Sequence, residues 1–353
     1  VAVSSDEHAS GQAAPAPPAT IAGPPLRLQV DLSLPPEARP GGRCAEPWFG
    51  SAASREIIGA IIGATPLMLQ IGYPPPGAGA SDLLREFVLA GGGAGMAVSL
   101  VLDAGTPAAG RPIPGGIREV ALDLFGLRGD EQAMRRALED FVAPEGVRRG
   151  ALMRLSRETL PHLASFVRAA AAAGVDFIEL PPPALLFHPP DGRRGHVLEA
   201  GDYRRAEEIL RGIDAASIPA DLRIHDVMLD RLVAGLPGRR PAAGPGFGGC
   251  QAAAALAYIA PDGIIHPCIA LDLPLGSVRD LAAAPPWNGP AAREVRARVA
   301  AATPDCGGCG AWRVCRGGCP ASRLALTATW TDDPLCDTMI RSMPPPGAGA
   351  KAP

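Results

Sequence analysis

Aromatic residues are scarce in this chain, at 4% Phe, Trp and Tyr, and neither sign of charge is in excess: 33 basic against 36 acidic residues leave a formal net charge of -3. That balance gives no electrostatic ground for binding nucleic acid or an anionic membrane, both of which are met by clustered positive charge. The first 25 residues, rich in Ala, Pro and Ser, lack the basic start and apolar core of a secretory signal and read as a disordered lead. The nearest approach to a membrane span is the uncharged stretch from Ile57 to Ser81, which Pro66 and the Pro74-Pro75-Pro76 run interrupt. It reads as a buried helix followed by a buried strand. With no export signal, the expected location is a reducing cytoplasm, where clustered thiols point to metal ligation and not to a disulfide framework.

Cysteine is where the chain is rich. Seven of the eight cysteines lie in the last third, and Cys306-x2-Cys309-x5-Cys315-x3-Cys319 puts four thiols in fourteen residues, flanked by Cys250, Cys268 and Cys336. Soft sulfur ligands at such spacings suit a tetrahedral zinc or an iron–sulfur cluster, and seven exceed what one four-coordinate site takes. Two sites follow, with the metal left open by spacing alone.

The 353 residues allow two or three domains. Short apolar runs at Leu26–Leu34, Leu67–Ile71, Ala97–Leu102, Ile117–Leu124, Leu152–Leu155 and Phe177–Leu180 read as strands. Between them, helices are predicted over Ala53–Ala64, from a Ser81 cap to Ala90, over Asp130–Val142, Arg157–Ala173 and Tyr203–Arg211. The alternation predicts an α/β chain of parallel units curling into a partial barrel. Residues 184–201 read as a loop and 235–249 as a Pro/Gly linker into the cysteine-rich part. Asp103, Asp123 and Glu179 stand at strand ends, where barrel sites are built and where loops also need caps. His188, His196, His225 and His266 form no ligand spacing and read as surface or satisfied core histidines. Arg293 to Arg298 reads as a solvated helix face.

The complete cysteine pattern, Cys250-x12-Gly263-x4-Cys268, then Cys306 to Cys319, then Cys336, resembles the SPASM domain, an extension of peptide-modifying radical SAM enzymes. Tyr258-Ile259-Ala260-Pro261-Asp262-Gly263 is similar to its hairpin, Leu275-Gly276-Ser277-Val278 to its following segment, and Cys315-Arg316-Gly317-Gly318-Cys319-Pro320 to its signature; the likeness covers residues 245–340. It implies two auxiliary 4Fe-4S clusters, the second on Cys306, Cys309, Cys315 and Cys336, the first on Cys250, Cys268 and Cys319. Some relatives take the fourth ligand of the first cluster from a cysteine at the place of Gly244. Here that iron is open, or borrows Cys44, a histidine or a carboxylate.

A six-unit partial barrel before a SPASM domain resembles the radical SAM enzymes, yet their C-x3-C-x2-C loop is missing. Only Cys44 is available, and the three possible registers put Trp48 and Ser51, Pro40 and Pro47, or Glu37 and Gly41 at the other two positions. The Gly-Gly-Glu-Pro turn that receives the cofactor's ammonium in that family corresponds to Ile71-Gly72-Tyr73-Pro74, and a tyrosine is no carboxylate counter-charge. The chain thus resembles a degenerate radical SAM/SPASM protein, for which S-adenosylmethionine is not expected and no catalytic residue is assigned. It is similar in this to the SPASM-only component of the Geobacter-type system, whose partners are a radical SAM/SPASM enzyme and a PqqD-like peptide-binding protein. That resemblance implies an accessory role in modifying a ribosomally made peptide, by electron transfer or substrate binding without radical initiation. The alternatives are a stand-alone iron–sulfur enzyme using an open cluster site, and a zinc-stabilised binding module. The expected organisation is a lead over 1–25, a degenerate barrel over 26–235, a SPASM domain over 245–340 and a disordered tail over 341–353. Trp48, Phe49 and Tyr73, near the lost motifs, read either as an apolar contact or peptide-binding surface or as filling for an emptied pocket.

Overall fold

A computed structural model describes residues 25–33, 48–64, 66–75, 78–105, 113–213, 221–233, 249–301, 315, 317–330 and 335. Seven strands run parallel and in chain order: β1 (Arg27–Asp31), β2 (Met68–Gly72), β3 (Ala97–Asp103), β4 (Ile117–Asp123), β5 (Arg148–Leu152), β6 (Phe177–Leu180) and β7 (Leu222–Ile224). On the free side of β1 the sheet continues with β8 (Leu256–Ile259), parallel to it, then β9 (Ile264–His266) and β10 (Gly276–Ser277), each antiparallel to its neighbour. All ten strands form one sheet.

Period-two patterning gives this sheet two unlike faces. Leu28 and Val30, Leu69 and Ile71, Val98 and Leu100, Val120 and Leu122, Ile178 and Leu180, and Leu222 and Ile224 all belong to the main core. Over them pack α1 (Ser54–Gly63), α2 (Ala78–Gly93), α3 (Glu131–Asp140), α4 (Leu163–Ala172), α5 (Ala200–Gly212) and α6 (Val227–Leu232). Local chemistry sets several ends: the Asp130 side chain accepts from the Ala133 N–H at 2.8 Å to start α3, and Glu199 with Asp202 forms a capping box on α5.

The alternate residues, Arg27, Asp31, Gln70, Glu119, Asp123, Arg148, Glu179 and Arg223, line the other face. Bonds across this face show that the sheet curls. Arg27 Nη2 lies 2.8 Å from Glu179 Oε1, although β1 and β6 are five strand spacings apart, roughly 24 Å in a flat sheet. The architecture is therefore the α/β partial barrel expected, with a SPASM-type region following it. Two glycines make room in the lumen: a Cβ on Gly72 would stand 2.1 Å from Asp31 Oδ1, and one on Gly150 2.2 Å from the Phe177 ring.

Several predicted boundaries move. Ser81 lies inside α2 and does not cap it, since the helix begins at Ala78. The fifth strand is Arg148–Leu152 and not Leu152–Leu155. The helix expected from Arg157 starts regularly only at Leu163, behind a short turn over Leu160–His162; Pro161 has no N–H to give. Predicted features at 1–24, 34–47, 234–248 and 336–353, including Cys44, Gly244 and Cys336, lie outside the described residues, as do Cys306 and Cys309.

In the cysteine-rich part, β8 and β9 form the expected hairpin, with Gly263 at φ +82° beneath Val278. It leads through β10 to α7 (Pro290–Ala300), and beyond it the next described helix is α8 (Pro320–Thr327). Arg296, read from the sequence as part of a solvated face, instead donates to the carbonyls of Ala253 at 2.8 Å and Trp287 at 2.7 Å. Contacts between this part and the barrel include Arg193 with Asp272 at 2.6 Å and Leu186 N–H with the Ile269 carbonyl at 3.2 Å.

Candidate functional site

The C-terminal ends of the barrel strands carry a closed polar constellation. Asp31 and Asp123 end β1 and β4; Tyr73 and Arg154 follow β2 and β5. The Tyr73 hydroxyl donates to Asp123 Oδ2 at 2.5 Å and accepts from Arg154 Nη2 at 3.3 Å. Tyr258, on β8, donates to Asp31 Oδ2 at 2.8 Å. All five side chains are buried. Burial pushes the Asp31 carboxyl up to about 6 against the opposing pull of the Arg154 charge, and burial likewise raises Asp123 although Arg154 pulls it down. Tyr73 has φ +50°, a left-handed backbone unusual for a side chain and more so before proline. Its N–H on the Val101 carbonyl at 2.9 Å and its own carbonyl under the Ser33 hydroxyl at 2.6 Å hold it there.

Deeper in the lumen, Glu179 accepts from Arg27 at 2.8 Å, and His225 Nε2 lies 2.8 Å from it. Although burial alone would raise its pKa, Arg27 and His225 together hold the Glu179 carboxyl well below the usual range. Of the predicted strand-end acids, Asp123 and Glu179 thus sit in the lumen networks, while Asp103 accepts from the Gly105 N–H at 2.9 Å and caps its own turn.

The three cysteines expected to hold the first cluster come together beside the barrel. Cys250 precedes β8, Cys268 follows β9, and Cys319 stands at the N-cap of α8. All three pack against one apolar cluster containing Ala252, Ala270, Leu271 and Ala321. Burial, then the charges of Cys319 and Cys268, pushes the Cys250 thiol well above its ordinary value. Cys268 is pushed up to about 12 by burial and by Cys319. Yet each sulfur also meets backbone N–H donors that favour its anion: Ala252 on Cys250, Ala270 and Leu271 on Cys268, Ala321 and Ser322 on Cys319. Half-buried thiols that repel one another as anions, each supplied with N–H donors, fit a bound cationic centre that keeps all three deprotonated. Among the described residues no three His, Cys, Asp or Glu side chains converge on a single ion position.

Of the second set, only Cys315 is described; it is buried, with its Sγ 3.7 Å from Met228 Sδ on α6. The aromatic residues near the lost motifs are not a surface, because Trp48 and Phe49 are 3% exposed and Tyr73 2%. Tyr73 fills the lumen, whereas Trp48 and Phe49 belong to the outer core. His188 and His196 stack with centroids 3.7 Å apart, a pairing that their sequence spacing does not signal. Sequence reasoning also missed Asp31, Arg154 and Tyr258; their positions at the ends of apolar runs were the one available sign.

Residues 250–310 match the SPASM iron–sulfur cluster-binding domain family. No curated protein matches the chain. Among solved structures it is similar to histidine-tagged anSMEcpe with bound AdoMet, at a TM-score of 0.54 and 15% identity over 89% of this chain and 94% of that one. Native anSMEcpe with bound AdoMet and Cp18Cys peptide gives 0.52 and 14% over 89% and 95%. At this identity the likeness is one of fold, and it extends over nearly the whole of both chains. The expectation of a SPASM-only component of a Geobacter-type system is thereby overturned, and with it the accessory electron-transfer role that it implied. The fold is an α/β partial barrel followed by a SPASM-like region.

Proposed function

We propose that the chain is an iron–sulfur enzyme in its own right, acting on a peptide, with a cluster held by Cys250, Cys268 and Cys319 as its reactive centre. The observation that carries this reading is the packing of those three half-buried cysteines, from three separate elements, against one apolar cluster, each sulfur furnished with backbone N–H donors. A cluster with three thiolate ligands supplies, when bound, an iron able to act as a Lewis acid or redox centre. Cys306, Cys309, Cys315 and Cys336 would hold a second, fully ligated cluster. The peptide substrate class is supported by the fold shared with a protein solved with a Cp18Cys peptide bound. Residues 26–235 form the barrel unit in this reading and 245–340 the cluster unit.

The barrel's part is structural and electrostatic, not radical initiation. Tyr73 occupies the lumen with its hydroxyl committed to Asp123, and it offers no carboxylate to a methionyl ammonium. The segment before it holds one cysteine, Cys44, where three are needed. The reduced protein is accordingly expected not to cleave S-adenosylmethionine; methionine release above a no-protein control overturns that part of the reading.

The main test is metal content of the anaerobically purified full chain. About eight irons per chain are expected for two clusters, with Cys250→Ser losing about four of them. Stoichiometric zinc with no iron uptake sinks the proposal, and so does a Cys250→Ser variant that retains the full iron complement.

A further inference from the structure

The segment that joins β6 to α5, residues 181–199, crosses from the barrel to the cysteine-rich part and back. On its way out, Leu186 gives its N–H to the Ile269 carbonyl at 3.2 Å, and the Phe187 ring meets Tyr258 edge to face with centroids 6.3 Å apart. Leu185 and Val197 enter the apolar cluster against which Cys250, Cys268 and Cys319 pack. Farther along, Arg193 reaches Asp272 at 2.6 Å and gives its Nε–H to the His188 carbonyl at 3.0 Å. The segment is thus a strap over Tyr258, whose hydroxyl closes the lumen network on Asp31.

His188 and His196 fasten the two limbs of this strap to each other. The imidazoles stack with centroids 3.7 Å and planes 25° apart, and both are half-buried. Two imidazoliums at that separation repel each other with little water between them, so the stack tolerates at most one charge. The charges around the pair do not reverse this. Glu158 favours protonation of both rings but is ion-paired with Arg128, and Arg193 opposes protonation of His188. On the barrel side, the His196 carbonyl accepts the Arg157 N–H at 3.2 Å, while the Arg157 guanidinium is spent on Asp202 and Glu199, the latter also facing Arg194. From the cysteine-rich part, α8 lies against the Arg193–Gly195 turn, and its one charge, Arg323, donates to the carbonyls of Gly317 and Trp330. Asp272 is bound to Arg193, His266 feels both, and the strap's own Asp191 is exposed. Burial, and after it the charge of His196, accordingly holds His188 down to about 4 from an ordinary 6.5, and burial lowers His196.

We propose that the strap is an acid-released latch: with both imidazoles neutral it is shut, and protonation of the stacked pair frees residues 185–197 from the hairpin and uncovers Tyr258 and the apolar cluster beside the cysteines. In the released strap each histidine regains its ordinary affinity for a proton, near 6.5, whereas in the latched strap His188 takes one only near 4. The latched form binds fewer protons. Its advantage is therefore complete above about pH 6.5 and is lost as pH falls toward 4.

The test is amide hydrogen exchange of the anaerobically purified full chain at about pH 7.5 and about pH 5, read by mass spectrometry and corrected for the intrinsic pH dependence of exchange. Opening of a peptide spanning 185–197 should rise about tenfold or more on acidification, while the β3 amides around Leu100 keep their opening unchanged. The double variant His188→Phe with His196→Phe retains two stacked rings that cannot ionise, and it should hold the strap shut at both pH values. Equal opening of the wild-type strap at the two pH values overturns the proposal. So does a rise shared by β3, which reports general acid unfolding, and so does a rise that the double variant keeps in full. On the wild-type chain alone, the His188 Cε1–H resonance should titrate well below its ordinary 6.5; a midpoint at the ordinary value overturns the latch even where the double variant fails to fold.

Discussion

Asp31 shows how burial turns a side chain into a pH-dependent term of stability. Its pKa of about 6 in the folded chain lies above the ordinary 3.8, so between those values the folded chain keeps a proton that the unfolded chain has released. This contribution is fully present below about pH 4 and is lost as pH rises through about 6. Asp31→Asn keeps an acceptor for Tyr258 and removes the ionisation. It should raise stability near pH 7 by on the order of 2 kcal/mol and flatten the slope between about pH 4 and 7. Denaturant melts across that range check this, and a variant with the wild-type slope would refute it. Arg154→Met acts in the opposite sense, leaving Asp123 and Asp31 without the cation that both feel. A loss of about 3–5 kcal/mol at neutral pH is expected, smaller in the Asp31→Asn background because the two sites are coupled. Of this network the sequence marked Asp123 and Tyr73, but Asp31 and Arg154 were isolated charges beside apolar runs. The burial that gives them meaning depends on strands that meet only after the sheet curls.

At the level of elements, the outer face of the sheet was readable and the lumen was not. Strands such as Ala97–Asp103 and Phe177–Leu180 announce themselves through the apolar residues that they bury under helices. Their inward residues mix apolar Val101 and Phe177 with polar Asp103 and Glu179 and give no such signal, and in β5 this hid the start of the strand: Arg148-Arg149-Gly150 looks like a loop, although Arg148 bonds Glu119 at 2.7 Å in the lumen and the Gly150 position receives the Phe177 ring. The three-residue β7 is too short to show a period at all. Gly150 supplies the test of this account. Gly150→Ala puts a methyl group into the Phe177 ring and should cost about 1–3 kcal/mol, with Phe177→Leu recovering part of the loss in the double variant. Equal melting temperatures for wild type and Gly150→Ala would mean that the lumen is looser than the packing shows. The thiol site divides in the same way. The resemblance of the cysteine pattern to the SPASM domain grouped Cys250, Cys268 and Cys319 as a set, but Leu185 and Val197, in the apolar cluster that all three pack against, come from the barrel part of the chain, and no spacing rule reaches them.

Over the whole molecule, the barrel and the cysteine-rich part are joined by more than the segment between them. β8 pairs with β1 along Arg27–Val30, and Trp48 donates its N–H to the Pro261 carbonyl at 3.1 Å. Tyr258 closes the lumen network on Asp31, and Arg193 reaches Asp272. Removing the cysteine-rich part therefore does more than delete a cluster: it exposes the edge of β1, takes the hydroxyl from a buried Asp31 and uncovers apolar surface around Trp48. A chain ending at Val233 should melt at lower temperature than the full chain and elute as aggregates in gel filtration, because an unprotected parallel edge strand is a template for pairing. The same coupling predicts that Cys250→Ser, which weakens the cluster site, lowers the melting temperature of the entire chain in one transition. Two separate transitions, with a monomeric and equally stable barrel after truncation, would show instead that the two parts fold independently. In that case the shared sheet would be a docking contact, and communication between the lumen and the cysteines would lose its structural basis.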